Sequence, residues 1–146
     1  MTSPLPAAQA IVIDRHLSHT PEKVWRALTE KDLLSQWLMA NNFRAEVGHQ
    51  FQLRRAPMPH WDGVVQCEVL EVDPPHQLSY RWNTLWENQP GLNTIVTWTV
   101  IPDGNGTLLR MQQSGFQPSQ MHNLKGAEYG WTGFLQNLQD LLETVQ

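Results

Sequence analysis

The sequence predicts an α+β fold in which an antiparallel sheet of six or seven strands is covered by a long C-terminal helix. Two observations support this prediction. Segments with alternating apolar and polar residues follow one another between 43 and 116, joined by short turns and without a crossover helix. From about Gln120 onward, apolar residues recur at helical spacing along a single stripe. A long amphipathic helix is a natural cover for the apolar face of such a sheet.

The length of 146 residues fits one domain, which we place at 10–146, after a Pro-, Ala- and Ser-rich lead-in at 1–9 that we expect to be irregular. The net charge is −4 and the ten Lys and Arg residues are scattered, so nucleic acid is not an expected partner. Cys67 is the single cysteine, which excludes an intrachain disulfide and fits a reducing compartment. A signal-peptide pattern and a long apolar run are both missing, so the sequence predicts a cytoplasmic protein without membrane association.

The first elements are predicted to be a strand and two short helices. The segment "IVIDRHL" at 11–17 has alternating apolar residues and a β-branched start, which is typical of a strand. Thr20 followed by Pro21 is typical of an N-cap and the first residue of a helix. A second short helix is expected to begin near Asp32 and to carry Trp37.

Strand patterns continue along the middle of the chain. A hairpin around Gly48 is predicted from "FRAEV" and "QFQLRR", and four further strands are predicted in "GVVQCEVLEVD", "QLSYRW", "TIVTWTVI" and "TLLRMQQSGF". The longest polar connection is 84–93, which contains Trp86. We interpret it as a candidate flap over a binding site, because binding residues are often carried by loops on a rigid scaffold.

The C-terminal helix contains an anomaly. Gly126, Gly130 and Gly133 are each expected to weaken it by roughly 0.5–1 kcal/mol relative to Ala. They fall together along one flank of the apolar stripe, beside Trp131. We therefore predict that this flank faces inward and that another backbone or a ligand approaches it closely.

The sequence has no strong catalytic or metal-binding motif. None of the six histidines has a helical i, i+4 partner and "HWD" at 60–62 is a weak two-ligand pattern, so neither a metal nor a cofactor is predicted. Cys67 lies in the middle of a strand between apolar residues and is interpreted as a buried hydrophobe. Alternation places Glu71 on the inner face unless a bulge intervenes, and we expect an inward Glu71 to pair with Arg15.

Six features occur in the order found in a known family. They are Arg15 followed by "TPEKVWRALTEKDLLSQW", Gly48 with Phe51, "GVVQCEVLEVDPPHQLSYRW", Pro90 and Gly91 leading into "TIVTWTVIPDGNGTLLRMQQSGF", "GW" at 130–131, and the leucine-spaced helix that follows. With these features the chain resembles the single-domain relatives of the activator of heat shock protein 90 ATPase, in the START-like (SRPBCC) superfamily. The resemblance extends from Ile11 to about Val145. It implies a helix-grip fold, in which a bent sheet wraps the C-terminal helix and leaves a cavity for apolar molecules.

Residues on the predicted inner face are the candidates for lining that cavity. They are Trp37, Phe51, Tyr80, Trp82, Trp98, Met111, Gly130, Trp131 and Phe134. The alternative for each ring is that it only fills the core, because aromatic side chains bury a large area wherever they pack. The Tyr80 hydroxyl, the indole N–H groups, Gln113 and Arg110 are candidates for the polar groups that orient a ligand.

Three functions are compatible with this pattern. The first is a non-enzymatic carrier or sensor of a small apolar or aromatic molecule, with a stress-related role as one version. The second is a co-chaperone-like interaction module; eukaryotic activators of the chaperone have a separate N-terminal domain, for which the sequence before Ile11 offers no counterpart. The third is a cavity enzyme of the cyclase or hydratase type. The sequence shows no convincing inward acid or base for catalysis, so an enzyme is not the expectation.

Overall fold

The computed structural model describes residues 9–59, 61–85 and 91–146. The elements, in chain order, are β1 Gln9–Leu17, α1 Pro21–Thr29, α2 Lys31–Trp37, β2 Ala40–Asn41, β3 Gln50–Arg54, β4 Val64–Asp73, β5 Gln77–Asn83, β6 Asn93–Asp103, β7 Gly106–Phe116 and α3 Met121–Leu142. A single 3₁₀ turn, Pro118–Gln120, leads into α3. The predicted order of a strand, two short helices, a meander and a long helix is confirmed.

The seven strands form one sheet in the order β1-β7-β6-β5-β4-β3-β2, and every neighbouring pair is antiparallel. Only the pairing of β1 with β7 joins strands that are distant in sequence, and it brings the N-terminal strand beside the last one. With α3 as the long helix, this architecture confirms the predicted α+β helix-grip fold.

Alternation along the strands separates the two faces of the sheet as predicted. On β5, Leu78, Tyr80 and Trp82 are each no more than 7% exposed, whereas Arg81 between them is exposed. On β7, Leu109 and Met111 are buried in the same way. The inner face therefore carries the aromatic and aliphatic side chains on which the helices pack.

The start of α1 follows from its cap. The Thr20 side chain accepts a hydrogen bond from the backbone N–H of Lys23 at 3.3 Å, and Pro21 occupies the first turn, where its missing N–H costs nothing. The helix buries Val24, Ala27 and Leu28. It packs against β6 and β7 of the sheet.

α3 lies across the inner side of the fold and packs closely against α1, α2 and β1. Its 22 residues extend about 33 Å at the usual rise per residue. Leu135, Leu138 and Leu142 on its C-terminal half are each no more than 2% exposed. No helix within the described residues is both long and apolar enough to span a bilayer.

The predicted strand in "FRAEV" is wrong. The segment 42–49 contains no strand, and the partner of β3 is the two-residue strand β2. Side-chain hydrogen bonds replace the ladder here: Asn41 Oδ1 accepts from the backbone N–H of Phe43 at 3.0 Å, and Asn42 Oδ1 accepts from that of Gln52 at 2.8 Å. Phe43 is nevertheless buried, with its ring edge-on to that of Phe51 at 5.0 Å. Its apolar character therefore reflects core packing by a loop residue.

The expected ion pair between Arg15 and Glu71 is not formed. The pairing of β4 with β5 shifts register between Val69 and Glu71, and this bulge leaves Glu71 exposed. Its carboxylate accepts a hydrogen bond from Gln77. The Arg15 guanidinium donates to the backbone carbonyl of Asp14 at 3.2 Å.

Three predictions fall partly or wholly outside the described residues. The irregular lead-in was placed at 1–9; residues 1–8 are not described, and Gln9 is the first residue of β1. In the proposed flap, 86–90 with Trp86 are not described. His60 of the "HWD" pattern is also outside the described part of the chain.

Candidate functional site

A cavity of about 620 Å³ lies between the N-terminal half of α3 and the sheet. Its helix wall consists of His122, Asn123, Gly126, Ala127, Tyr129, Gly130, Trp131 and Phe134. Its second wall comes from the connection between β3 and β4, namely Arg55, Met58, Pro59 and Trp61. The remaining contacts come from the sheet and its flanking segments, namely Met39, Val65, Trp82, Thr84, Leu92 and Gln113.

The helix wall owes its open space to glycine. A Cβ atom placed on Gly126 or Gly130 would meet no heavy atom within 4 Å, apart from the chain neighbours and the helix's own backbone. The predicted close approach of another backbone is therefore wrong. Gly133 has equally open surroundings, but it is exposed and does not line the cavity, so its predicted inward position is also wrong.

A chain of hydrogen bonds supports the sheet side of the cavity. The indole Nε1 of Trp131 donates to Gln113 Oε1 at 2.7 Å, and Gln113 Nε2 donates to Thr94 Oγ1 at 3.0 Å. The Thr94 hydroxyl in turn donates to the backbone carbonyl of Trp82 at 2.6 Å. Because an indole N–H can only donate, it fixes the orientation of the Gln113 amide. The network therefore holds the helix residue Trp131 in a set position against the sheet.

Two indole rings form an aromatic surface above this network. The centroids of Trp82 and Trp131 are 5.0 Å apart with their planes tilted by 50°, and Phe134 lies 5.8 Å from Trp131. Trp82 and Trp131 remain 7% and 2% exposed, so they present only part of their surface to the cavity. Flat apolar walls of this kind suit the ring or chain of an apolar molecule.

The second wall is fixed by backbone contacts. The backbone N–H of Arg55 donates to the carbonyl of Gly63 at 2.9 Å, and Met58 forms a bridge with Trp61. Gly63 has a φ of +80°, and a Cβ atom on it would lie 2.3 Å from the Arg55 carbonyl oxygen. Only glycine fits this position, which brings the two ends of the connection together. The Trp61 indole N–H donates to the Val64 carbonyl at 3.1 Å and thereby orients that ring.

The nine predicted ligand-binding residues divide into two groups. Trp82, Gly130, Trp131 and Phe134 line the cavity. The other five do not line it and are almost completely buried; they are Trp37, Phe51, Tyr80, Trp98 and Met111. The structure thus places these five in the packed core, next to the cavity-lining residues, and a binding role for any of the nine stays a prediction.

The buried five form a connected aromatic and apolar layer. The Trp37 indole N–H donates to the Ala27 carbonyl at 2.8 Å, and the rings of Trp37 and Trp98 meet edge to face at 5.6 Å. The Trp98 indole N–H donates to the Tyr80 hydroxyl at 2.9 Å. Trp98 also lies 5.6 Å from Trp131, so the layer is continuous with the cavity wall.

The candidate polar groups are also separated by the structure. Gln113 lines the cavity. The Tyr80 hydroxyl does not, and it accepts a hydrogen bond from the Trp98 indole N–H. Burial raises the pKa of Tyr80. Arg110 points to the outer face, because the alternation that buries Met111 turns it away. There it donates to both carboxylate oxygens of Asp14, at 2.9 and 3.1 Å, and these hydrogen bonds lower the pKa of Asp14. The expectation that Arg110 contacts a ligand in the cavity is therefore wrong.

Nucleophilic and metal chemistry find little support in the described residues. Cys67 is buried on the inner face, and burial raises the pKa of its thiol, which opposes thiolate formation. No group of three or more His, Cys, Asp or Glu side chains within the described residues could hold a metal ion. Two smaller depressions lie elsewhere on the surface. One, of about 230 Å³, is lined by residues that include Glu68 and Arg81 on the outer face. The other, of about 300 Å³, includes the exposed pair His16 and Asp103.

Most of the second wall was missed by the reasoning from sequence. Trp61 was considered only as part of a metal pattern, Arg55 only as the last residue of the predicted strand "QFQLRR", and Met58 and Pro59 carried no helix or strand signal. The available signal was Gly63, a glycine just before a strand, which marks a close approach of two backbones. Leu92 was not singled out either, whereas Gly126 was predicted as part of the inward glycine flank and does line the cavity.

The fold and the apolar cavity define a protein of the START-like, helix-grip class. The chain belongs to the family described as "Activator of Hsp90 ATPase homolog 1-like protein", whose model matches residues 18–143. The predicted family is thereby confirmed. No curated protein sequence matches the chain.

Solved structures agree with this assignment. Protein MLL2253 from Mesorhizobium loti is 44% identical, with a TM-score of 0.87 over 94% of this chain and 99% of that one. Protein Mll3558 from Rhizobium loti is 20% identical, with a TM-score of 0.81 over 92% and 96% of the two chains, and it shows the fold alone. DynU16, described as a protein in the dynemicin biosynthetic locus, is 25% identical with a TM-score of 0.74 over 92% of this chain and 47% of that one.

Proposed function

We propose that this protein binds a small apolar or aromatic molecule in the cavity beside α3, as a carrier or sensor. The observation that carries this proposal is the open space along Gly126 and Gly130 in a cavity that the indole rings of Trp82 and Trp131 also line. A volume of about 620 Å³ lies within the range of roughly 300–1,000 Å³ that is usual for small-molecule sites. The family assignment supports the same proposal, and so does the similarity to a protein of a biosynthetic locus.

The energetic argument is the hydrophobic effect. The cavity wall is mostly apolar, and the polar groups of Trp131, Gln113 and Thr94 already satisfy one another. Transfer of an apolar molecule from water to this surface stabilises the complex by roughly 25 cal/mol for each Å² removed from water. A molecule that fills the cavity therefore has no need for a charged partner to bind with measurable affinity.

The experiment uses phenyl-naphthylamine, a neutral dye, titrated against the wild-type protein and two leucine variants. Wild type is expected to enhance the dye's emission saturably, with quenching of tryptophan emission by the dye near Trp82 and Trp131. Gly130→Leu places a side chain in the cavity and is expected to weaken binding by at least about tenfold. Gly133→Leu is the matched control, because Gly133 is exposed and does not line the cavity.

Two results would contradict the proposal. One is a wild-type protein that shows no saturable binding of this dye or of a wider set of apolar compounds. The other is a folded Gly130→Leu variant that binds as tightly as wild type. Circular dichroism and thermal unfolding of each variant establish that it is folded.

A second candidate function is favoured by the family description alone, which names activation of Hsp90 ATPase. It predicts that the protein binds the bacterial homologue of that chaperone and raises its ATPase rate. A titration of the chaperone with this protein, followed by steady-state ATP hydrolysis, tests it directly. An unchanged rate together with no complex in a pull-down would remove this candidate.

A cavity enzyme has less support. His122 is the one histidine of the described lining, and that lining contains no carboxylate. General acid–base chemistry would therefore rest on a single imidazole.

A further inference from the structure

The charges around the cavity are distributed unevenly. Arg55 is the only side chain of the described lining that carries a permanent charge, and no Asp or Glu accompanies it there. The chain as a whole has 14 acidic residues against ten Lys and Arg and a net charge of −4. The described edge of the cavity at Arg55 is therefore cationic, although the protein as a whole is acidic.

Arg55 also differs from the other arginines in its partners. Among the described residues, it is the only arginine whose guanidinium has neither a hydrogen bond nor an ion pair. Five of the other six donate hydrogen bonds, namely Arg15 to Asp14, Arg26 to Glu30 and Gln146, Arg44 to Glu46, Arg54 to Gln52 and Arg110 to Asp14. Arg81 forms an ion pair with Glu68 at 3.9 Å. A guanidinium is suited to bidentate binding of a carboxylate or a related anion. In Arg55 that capacity is unused.

The backbone holds Arg55 at this edge. Its N–H donates to the carbonyl of Gly63, and its own carbonyl lies where any Cβ at Gly63 would clash. The backbone of Arg55 is therefore held in place at the cavity wall, although its side chain is exposed. A ligand with an anionic group at this edge would meet a guanidinium that has no protein partner among the described residues.

We propose that the ligand of this cavity is amphipathic, with an apolar body against Trp82 and Trp131 and one anionic group, of the carboxylate kind, at Arg55. This inference rests on the proposed ligand-binding function and specifies its ligand class. It excludes a purely hydrocarbon ligand as the preferred one. It also assigns Arg55 as the residue that determines the preference for an anionic ligand over a neutral one.

The test compares two dyes with the same aromatic skeleton. Phenyl-naphthylamine is neutral, and anilinonaphthalene sulfonate carries one negative charge. The sulfonate is expected to bind wild type about fivefold to tenfold more tightly than the neutral dye at low salt, as a charge-assisted contact implies. The difference is expected to shrink as salt is raised, because the guanidinium is exposed.

Three variants identify the group responsible. Arg55→Gln is expected to remove the preference for the sulfonate and to leave the affinity for the neutral dye unchanged. Arg54→Gln is the matched control, since it removes the same charge from the neighbouring residue, which does not line the cavity. Arg55→Lys keeps the charge and is expected to retain part of the preference. Competition by decanoate and by decanol then asks whether a carboxylate has the same advantage as the sulfonate.

The outcomes separate the two proposals. Equal affinity of wild type for both dyes, or an equal effect of the Arg54→Gln and Arg55→Gln variants, would overturn the assignment of an anionic ligand and leave the cavity as an apolar site. A decanol that competes as well as decanoate would overturn it in the same way. Absence of saturable binding for either dye would instead overturn the ligand-binding function itself.

Discussion

The two halves of α3 have the same helical geometry but very different surroundings. In the C-terminal half, Leu135, Leu138 and Leu142 are almost fully buried against α1, α2 and β1. In the N-terminal half, Gly126 and Gly130 face open space, and only Leu124 and Trp131 are buried. One half of the helix therefore stabilises the fold, and the other half forms the wall of a cavity.

The difference shows how one helix serves both stability and binding. Close packing of leucines supplies the hydrophobic free energy that fixes the helix on the sheet. The unpacked half lacks this contribution and also carries the propensity cost of its glycines, and Trp131 with its hydrogen bond to Gln113 is its main connection to the sheet. Substitutions in the two halves are accordingly expected to affect different measurements.

The largest effect on stability is expected in the packed half. Leu138→Ala removes a side chain with no exposed surface and should lower the free energy of unfolding by about 2–5 kcal/mol. Urea denaturation measures this change, and the folded variant should bind an apolar dye as wild type does. Gln139→Ala, on the exposed face, is the control. If Leu138→Ala cost no more than the control, close packing of this half would be in doubt.

A smaller effect is expected where the open half is attached to the sheet. Gln113→Leu leaves the indole N–H of Trp131 without its acceptor and should cost about 1–3 kcal/mol. Dye binding should weaken as well, because Trp131 loses its fixed orientation. Gln112→Leu, which changes the exposed neighbouring residue, is the matched control. Chemical denaturation and dye titration are carried out on both variants. Unchanged stability and binding in Gln113→Leu would contradict the anchoring role.

The smallest effects are expected from single methyl groups on the glycines. Gly133→Ala and Gly130→Ala should each raise the free energy of unfolding by about 0.5–1 kcal/mol, since the added Cβ meets no neighbour and alanine favours the helix. Only Gly130→Ala is expected to change dye affinity. A loss of stability in either variant, measured by thermal unfolding, would show that the space beside it is not open.

The fold was predictable because its signals are local and repeated. Alternation along β5 placed Leu78, Tyr80 and Trp82 on one face, and the capping pattern at Thr20 located α1; both are confirmed. The errors occurred where a local pattern had two physical meanings. The residues 43–47 alternate like a strand, but asparagine side chains take over the backbone hydrogen bonds around them.

The cavity was only partly predictable. A glycine in a helix indicates that a side chain is disfavoured at that position. The pattern does not tell whether the reason is a close neighbour or an open cavity, and Gly130 faces open space. The sequence also could not tell that Trp98 lies in the core and Trp82 at the cavity, because alternation places both side chains on the inner face of the sheet. The wall at Arg55 depends on a contact with Gly63 that no periodicity reveals.

Two glycines control how the connections beside the cavity meet the sheet. A Cβ atom on Gly63 would lie 2.3 Å from the Arg55 carbonyl oxygen, and one on Gly91 would lie 1.6 Å from that of Thr84. Each connection is also closed by a backbone hydrogen bond, from Arg55 to Gly63 and from Thr84 to Leu92. Main-chain contacts at the ends of a connection do not require particular side chains between them, so substitutions at Met58, Pro59 or Trp61 are expected to keep the strand register. Such substitutions are instead expected to change the surface that these residues present to the cavity.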